Sequence, residues 1–404
     1  MGKTEQSIQT KKNDKIKSLI KVIVTVILTT VVLLSTYFWL CFTNNSFVSK
    51  YRTLYVETAM STLSHRWLAT KLLPYDVVKP VIDNTHQQFE DNLVDSSSIA
   101  PPEFDSSFDI LLNSKLDSLE YSQDEMNKLK FEKKYSEIDI STMPDDIDYS
   151  EIQISNILDK GIKTIYGDRV WAIDTVNNLI IVEVAGDKYV GKLAIIKDTS
   201  QVYLATSSKS GVGQTVTDIC DTTDSILGIN ASGFADFEGR GNGGTPIGIQ
   251  ISKGKKLKTV AASRIYQTAG FDFENNFRIG KEVILDEMRD AMQFYPIIVL
   301  NGDKVANGSY GLGIQPRTAI GQTMTKDTLM LVIDGRQIGY SIGATMVECA
   351  EIMIRYGAWN AMNLDGGSSS SMTYNGEMIT RTSSPAKRGR YVPSAWVVRN
   401  QSKN

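Results

Sequence analysis

The distribution of apolar residues divides the chain into one long uncharged run near its start and a series of short apolar runs in its second half. Residues 22–42 contain no charged residue, no glycine and no proline. At about 1.5 Å per residue, a helix of this length crosses a hydrocarbon core of roughly 30 Å. The pattern therefore predicts a transmembrane helix over residues 22–42.

The charges beside this run predict its orientation. Residues 1–21 carry lysine at six positions, and an excess of lysine marks the cytoplasmic side of a membrane helix. We expect residues 1–21 to form a cytoplasmic tail and the chain after Phe42 to be extracellular, as in a single-pass cell-membrane protein with a signal anchor. A cleaved signal peptide is the alternative, but the run exceeds the roughly 7–15 apolar residues of such signals and no small-x-small cleavage site follows.

The composition changes twice between residues 43 and 150. Residues 46–88 have apolar side chains at helical spacing, which Pro74 and Pro80 are expected to interrupt. Residues 90–150 are acidic and serine-rich, with a short helix predicted near residues 122–132. We predict that residues 43–150 form a partly helical, partly acidic juxtamembrane stalk.

From residue 151 onward, short apolar runs alternate with glycine, asparagine and aspartate, a pattern typical of strands. Residues 344–356 have the spacing of an amphipathic helix that ends at Gly357, and a buried strand is predicted to follow at residues 359–364. We predict an α/β (mixed α+β) catalytic domain with a mixed sheet over residues 151–400, preceded by the transmembrane helix and the stalk. The other predicted strands are residues 170–173, 179–184, 193–196, 297–300 and 329–333.

Charge and composition exclude several functional classes. The net charge of −3 gives no basic field, so no nucleic acid partner is expected. The three cysteines have no CxxC spacing, which excludes a thiolate zinc site; Cys220 and Cys349 are predicted to be buried thiols, with a disulfide between them as the alternative. Because both histidines, His65 and His86, precede residue 151, acid–base chemistry in the C-terminal domain is expected to depend on carboxylates.

The most informative candidate site is Asn-Leu-Asp-Gly-Gly-Ser-Ser-Ser-Ser at residues 363–371. A strand is predicted to run into Asp365, and the following glycines let the backbone bend tightly and approach a ligand. A polar turn capped by Asp365 is the alternative interpretation. The segment lacks the GxxxxGK[ST] pattern, so nucleotide binding is only weakly supported.

Two further acids follow apolar runs. Asp334 and Gly335 precede Arg336, although an Asp-Gly pair is also an ordinary hairpin turn. Thr345 and Glu348 have the spacing of a helix capping box. The sequence supports this structural role and a catalytic role for Glu348 about equally, and the two roles are compatible.

Arginine and asparagine complete the candidate set. The guanidinium of Arg317 suits bidentate binding of phosphate, with a structural ion pair as the alternative, and Asn230 in a glycine-rich loop can donate to a ligand oxygen. Cleavage of glycosides commonly uses two carboxylates, and arginine stabilises a departing phosphate. The combined residue types therefore favour cleavage of a sugar–phosphate linkage.

The motifs occur in the order Asn-Ala-Ser-Gly-Phe at 230, Pro-Arg-Thr-Ala-Ile-Gly at 316, Asp-Gly-Arg at 334, Gly-Ala-Thr-x-x-Glu at 343 and Asn-Leu-Asp-Gly-Gly at 363. This order resembles the phosphodiester glycosidase domain family over roughly residues 206–398. The resemblance implies a hydrolase that cleaves the bond between an anomeric sugar carbon and a phosphodiester oxygen. It implies functional roles for Asn230, Arg317, Asp334, Gly335, Arg336, Thr345, Glu348, Asn363, Asp365, Gly366 and Gly367.

The resemblance is to the bacterial, Gram-positive branch of the family, whose proteins are described as exopolysaccharide-related. We therefore expect an extracytoplasmic glycosidase acting on a phosphate-containing glycan of the cell wall, such as a teichoic acid or an exopolysaccharide. Asp365 and Glu348 are predicted to be the catalytic carboxylates, with Asp334 as a further acid. The predicted substrate-binding residues are Asn230, Arg317, Gly335, Arg336, Thr345, Asn363, Gly366, Gly367 and Ser368.

No cofactor is expected to be required, and two alternatives to this hypothesis stay open. The acids could hold Ca²⁺ or Mg²⁺ through oxygen ligands, which would make the protein a metal-dependent phosphodiesterase. A non-catalytic polysaccharide-binding or assembly protein is the other, because motifs alone do not establish turnover.

Overall fold

The computed structural model describes residues 2–62, 65–91, 93, 122–236, 241–257, 259–281, 283–306, 308 and 311–402. Residues 94–121 of the acidic stretch predicted within the stalk lie outside the described residues. The described parts form an N-terminal group of helices followed by three antiparallel sheets. The predicted α+β class is thereby confirmed.

The first helix, α1 (Gly2–Phe42), contains the long apolar run. Its portion Lys15–Phe42 is long and apolar enough to cross a membrane, and the most apolar part of it is not buried against the rest of the chain. A single-pass anchor and a signal sequence both fit this helix. The predicted orientation of the chain in a membrane stays a prediction.

Three helices follow: α2 (Ser46–Ser61), α3 (Trp67–Thr70) and α4 (Tyr75–Asp91). Pro74 precedes α4 as expected, but Pro80 lies inside it, so the interruption predicted at Pro80 is wrong. A proline near the start of a helix removes one hydrogen bond, and burial of Val77, Val78 and Phe89 holds α4 together across it.

The C-terminal end of α1 is hydrogen-bonded to these helices. The Tyr37 hydroxyl donates to the Leu72 carbonyl at 2.8 Å. Arg52 on α2 donates to the carbonyls of Leu40 at 3.0 Å and Thr43 at 3.1 Å. These hydrogen bonds hold the end of α1 against the helices that follow it.

Helix α5 (Gln123–Lys134) begins with a capping box between Ser122 and Glu125. Phe131 and Tyr135 are buried in the same apolar cluster as Ile173 and Leu331 of the first sheet. Described residues after position 121 therefore pack on the sheet that follows them, although the stalk was predicted to extend to residue 150. The domain boundary at residue 151 stays a prediction.

The first sheet contains every strand predicted from the apolar runs. Its strands have apolar residues on both faces because the sheet is covered on both sides. In spatial order the strands are β1 (Gln153–Ser155), β2 (Arg169–Asp174), β3 (Leu179–Ala185), β4 (Val190–Ile196), β15 (Thr328–Ile333), β14 (Arg317–Thr323), β16 (Ala358–Asn363), β12 (Ile297–Leu300) and β13 (Asp303–Lys304).

Two smaller sheets complete the domain. The second contains β10 (Phe277–Gly280), β9 (Gln267–Asp272), β11 (Met288–Phe294), β7 (Gln250–Ser252) and β8 (Lys255–Lys256). The third contains β18 (Glu377–Met378), β17 (Met372–Tyr374), β6 (Ser225–Asn230), β19 (Ser394–Arg399) and β5 (Val202–Thr206). All these strands pair antiparallel, where a mixed sheet was expected, because many neighbours are joined by short hairpins.

The main core lies where the three sheets face one another. Trp396 of the third sheet is fully buried and meets Phe271 of the second edge-on, with ring centroids 5.5 Å apart. Helix α6 (Val216–Thr223) packs on the third sheet and α7 (Met346–Arg355) on the first. Residues 364–371 leave β16 in the first sheet and enter β17 in the third, so this connection emerges where two sheets meet.

Candidate active site

The connection between β16 and β17 is held by its own backbone. The Asp365 amide donates to the Ala231 carbonyl at 3.2 Å, and the Gly367 amide donates to the Pro316 carbonyl at 2.9 Å. A Cβ at Gly366 would lie 2.9 Å from the Pro316 oxygen, and Gly367 has a φ of +62°. Both glycines are therefore required for the loop to turn this close to its neighbour.

This loop forms one side of a cleft of about 990 Å³. A cavity of this size accommodates a small-molecule ligand or a short segment of a polymer. The structure thus brings together predicted residues that are far apart in sequence. The predicted residues that line the cleft are Arg317, Arg336, Asn363, Asp365, Gly366, Gly367 and Ser368.

Asp365 is partly exposed to the cleft. Loss of solvent around it raises the pKa of its carboxyl to about 6, and the nearby negative charge of Asp236 acts in the same direction. A hydrogen bond from Ser369 and the charge of Arg390 oppose the rise. A carboxyl with this pKa exchanges protons readily near neutral pH, as a general acid or base must.

The raised pKa gives a prediction about stability. The folded protein holds the Asp365 proton more tightly than the unfolded chain, so ionisation costs folding free energy as the pH rises from about 4 through 6. We expect Asp365→Asn to have a higher Tm than the wild type at pH 7, by roughly 2–8 °C for about 1–2 kcal/mol. Thermal unfolding should show the difference shrinking towards pH 4.

Asp187→Asn, at an exposed hairpin position outside the described cleft residues, is the matched control for replacing one aspartate by asparagine. A lower Tm for Asp365→Asn than for the wild type at pH 7 would contradict burial as the cause of the raised pKa.

Arg317 lies buried beneath the floor of the cleft. Its guanidinium donates to the carbonyls of Ala344 at 3.1 Å, Leu312 at 2.9 Å and Gly313 at 2.7 Å. Burial lowers its pKa to about 10, so the group stays charged at neutral pH. Because these three partners are neutral carbonyls, the positive charge remains available to an anion in the cleft.

Arg336 itself has a φ of +61°, and its side chain lines the cleft. Its guanidinium donates twice to the Gln315 side-chain oxygen, at 3.0 and 2.6 Å, and burial lowers its pKa. A Cβ at Gly367 would lie 3.0 Å from this guanidinium. The second glycine of the Asp-Gly-Gly motif therefore makes room for the arginine.

Several cleft residues were missed by sequence reasoning. Arg390 pairs with Asp236 at 2.7 Å and lies over the Phe234 ring at 4.8 Å from its centroid. The rings of Tyr266 and Tyr295 lie 5.0 Å apart in the same cleft. Asp236 follows the Asn-Ala-Ser-Gly-Phe motif by two residues, which was an available signal, whereas no local pattern marked the tyrosines.

Glu348 is not among the described residues that line the cleft. Its carboxylate accepts from the Thr345 amide and hydroxyl, both at 2.8 Å, and pairs with Lys188 at 2.9 Å. Burial alone would raise its pKa, but these partners outweigh burial and lower it. The capping interaction directs Glu348 onto the start of its own helix, so the structure does not place it beside Asp365.

Asp334 is also outside this set of cleft residues. It is buried, and burial raises its pKa to about 6 against hydrogen bonds from the Tyr340 hydroxyl and the Arg381 amide, each at 2.9 Å. A Cβ at Gly335 would lie 2.8 Å from the Pro316 nitrogen. The Asp-Gly-Arg motif therefore contributes only its arginine to the cleft wall.

Asn230 supports the loop of residues 364–371 from beneath. Its amide donates to the Asp365 carbonyl, and its oxygen accepts from the Thr318 hydroxyl at 2.8 Å and the Ser371 amide at 3.2 Å. Neither Asn230 nor Thr345 is among the described residues that line the cleft.

The N-terminal helices supply the opposite wall, where both histidines, His65 and His86, line the cleft. The expectation that only carboxylates are available for acid–base chemistry at this site is therefore corrected. Within the described part of the chain, no three His, Cys, Asp or Glu side chains are grouped so that they could hold a metal ion. Cys220 and Cys349 are buried free thiols.

Comparison with known sequences agrees with the motifs. The profile of the phosphodiester glycosidase family matches residues 223–399. The SPbeta prophage-derived uncharacterized protein YomE of Bacillus subtilis (strain 168) is 26% identical over 217 residues, which cover 47% of this chain and 30% of that protein. The chain thus spans less than a third of the length of this relative.

Solved structures with a related fold include the zebrafish N-acetylglucosamine-1-phosphodiester alpha-N-acetylglucosaminidase catalytic domain auto-inhibited by its pro-peptide. It is 18% identical, covers 55% of this chain and 82% of its own, and has a TM-score of 0.46. A putative exported protein from Burkholderia pseudomallei K96243 is 14% identical, with coverages of 52% and 74% and a TM-score of 0.40. A hypothetical protein from Synechocystis is also 14% identical, with coverages of 55% and 62% and a TM-score of 0.40.

The family profile spans β6, α7 and the loop after β16, and so includes the Asp-Gly-Gly motif and the cleft residues Arg317, Arg336 and Arg390. The resemblance noted from the motifs is confirmed over this segment. Residues 223–399 of the chain match the model of the phosphodiester glycosidase family.

Proposed function

We propose that the cleft hydrolyses the bond between the anomeric carbon of a sugar and a phosphodiester oxygen. The observation that carries this proposal is one carboxyl with a raised pKa, Asp365, in the same cleft as the guanidinium groups of Arg317, Arg336 and Arg390. The family whose model these residues match supports a hydrolase of this kind.

In this reaction a water oxygen bonds to the anomeric carbon, and the bond from that carbon to the phosphate oxygen breaks. The electron pair leaves with the phosphate, which becomes a monoester. Fixed positive charge around the phosphate stabilises this departing group, so Arg317 and Arg336 favour bond cleavage without proton donation.

Asp365 acts on the sugar side of the bond. A product with inverted anomeric configuration would identify it as the base that takes a proton from water, and retention would identify it as the nucleophile. Asp236, paired with Arg390, is the neighbouring carboxylate whose charge Asp365 senses. We propose Asp236 in place of Glu348 as the second acid of the site.

Aromatic rings give the cleft a surface for a sugar. Tyr266, Tyr295 and Phe234 line the same cavity as Asp365. The two tyrosine rings each have one polar end, which suits the mixed apolar and hydroxyl faces of a pyranose, and Phe234 adds an apolar surface. The N-terminal apolar helix and its lysine-rich flank support a cell-envelope glycopolymer, such as teichoic acid or a phosphate-containing exopolysaccharide, as the substrate.

The test uses the full-length protein in detergent with the methyl esters of α-glucose 1-phosphate and N-acetyl-α-glucosamine 1-phosphate in oxygen-18-labelled water. Release of free sugar that carries the label supports the proposal. Label in the phosphate, together with loss of activity on chelation, would instead indicate a metal-dependent phosphodiesterase. Tight binding of envelope polymers without any product would indicate a binding or assembly protein.

A further inference from the structure

The helices after α1 were predicted to be part of a stalk, yet they form a wall of the cleft. Glu57 on α2, Arg66 at the start of α3, and His86 on α4 all line the cavity that contains Asp365. This wall follows the apolar helix directly in sequence. A role of this wall in substrate binding rests on the proposed function.

The contact between this wall and the sheets is specific. The Gln315 amide donates to the Thr58 carbonyl, the Ser61 hydroxyl and the Thr62 hydroxyl, each at 2.9 Å. The oxygen of the same side chain accepts from Arg336. One glutamine therefore couples a guanidinium of the cleft to helix α2.

Two glycines allow the helices to approach this closely. Gly311 and Gly313 have φ values of +67° and +58°. A Cβ at Gly311 would lie 2.3 Å from Thr85 on α4, and a Cβ at Gly313 would lie 2.3 Å from Thr58 on α2. The loop thus lacks side chains at the two points where the helices touch it, and this permits the close contact.

An aromatic contact closes the other end of the wall. Phe89 on α4 is buried and meets Tyr295 edge-on, with ring centroids 5.2 Å apart. Close by, Glu90 pairs with Arg264 at 2.9 Å. The helices therefore contact the sheet domain on both sides of the cavity.

The wall adds one guanidinium group, that of Arg66, to a cleft that already contains guanidinium groups, and His65 and His86 line the same wall with imidazole N–H donors. The charge of Arg66 is close enough to oppose the rise in the pKa of Tyr295 that burial causes. Arg317, Arg336 and Arg390 provide positive charge for one phosphate on the sheet side, and the Arg66 guanidinium, in the same wall as Glu57, provides positive charge for a second one.

The size of the cleft points the same way. Its volume of about 990 Å³ is at the upper end of the roughly 300–1,000 Å³ found for small-molecule sites. We propose that the cleft binds two consecutive phosphate-bearing units of a polymer, with Arg66 and His86 binding the second phosphate, beyond the bond that is cleaved.

The test compares two probes on the full-length protein in detergent. One is the methyl ester of N-acetyl-α-glucosamine 1-phosphate, and the other carries glycerol 3-phosphate in place of the methyl group and so has a second phosphate. The wild type is expected to have the lower KM for the second probe. Arg66→Gln and His86→Gln should each raise that KM about tenfold, with kcat within about twofold and little effect on the methyl ester.

Two variants make the test specific. Arg66→Lys retains the charge and should recover part of the preference. Lys71→Gln removes an exposed cation at the end of α3 that is not among the described cleft residues, and should leave both KM values unchanged. All variants should keep a wild-type Tm, because Arg66 and His86 are exposed.

Equal KM values of the wild type for both probes would overturn the proposal, as would an unchanged KM in both Arg66→Gln and His86→Gln. Faster turnover in these variants would show that the helices obstruct the cleft, and would also overturn it. Calorimetric binding of both probes in the Asp365→Asn background separates this proposal from the proposed function. If the wild type releases no sugar but Arg66→Gln still weakens binding of the two-phosphate probe, the proposed hydrolysis is wrong and the proposed site for the second phosphate is supported.

Discussion

Asp365→Asn is expected to lower kcat for a sugar 1-phosphodiester by roughly a thousandfold, the size of effect typical of losing a positioned acid or base. The amide keeps the shape of the side chain but can neither take a proton from water nor attack the sugar. Because the backbone of this loop is held by Asn230 and Pro316, the fold should be retained. Steady-state release of free sugar and the Tm, measured on the same preparation, check both parts.

Glu348→Gln is the matched carboxylate control for this result. Its side chain caps α7 and pairs with Lys188, so the loss is expected in stability, about 1 kcal/mol or roughly 2–4 °C in Tm, with kcat within about threefold of the wild type. A thousandfold loss in Glu348→Gln with an active Asp365→Asn would reverse the assignment of the two acids.

Arg317→Leu is expected to have the second large effect, on stability and on activity together. The leucine leaves the carbonyls of Leu312 and Gly313 without their donor, which costs about 3 kcal/mol and lowers Tm by roughly 6–12 °C. It also removes fixed positive charge from the cleft floor. We expect kcat/KM for the phosphodiester to fall about a hundredfold, the order found when one preorganised donor is removed.

Arg317→Lys separates these two effects. A lysine supplies the charge but cannot donate to three carbonyls with the geometry of the guanidinium fork, so its Tm should be reduced while part of the activity returns. Full activity in Arg317→Leu at a temperature where the protein is folded would show that the cleft does not depend on this charge.

The strands of the first sheet could be predicted because burial on both faces of a sheet produces uninterrupted apolar runs in the sequence, such as residues 179–182 and 329–333. The second sheet was missed for the opposite reason. Its strand Gln267–Asp272 begins with two polar residues and contains a glycine, although every residue in it is buried. Polar side chains satisfied by hydrogen bonds inside a protein leave no periodic signal.

The site was predictable where one segment carries the chemistry. Asp365 and its glycines lie within a few residues of one another, and the loop forms as that spacing suggests. The spacing of Thr345 and Glu348 fits both a capping box and a catalytic acid, and only coordinates distinguish the two. Arg66 and His86 could not be found from sequence, since almost 300 residues separate them from the loop they face.

The hydrogen bonds of Tyr37 and Arg52 at the end of α1 limit how far from the membrane the proposed enzyme would act. With α1 as the proposed membrane anchor, the short helices hold the mouth of the cleft at a fixed height above the lipid. Under the proposed function, glycan that passes through this thin layer would be hydrolysed. Polymer that has grown outward beyond it would be spared, which would make distance from the bilayer a determinant of which linkages are cut.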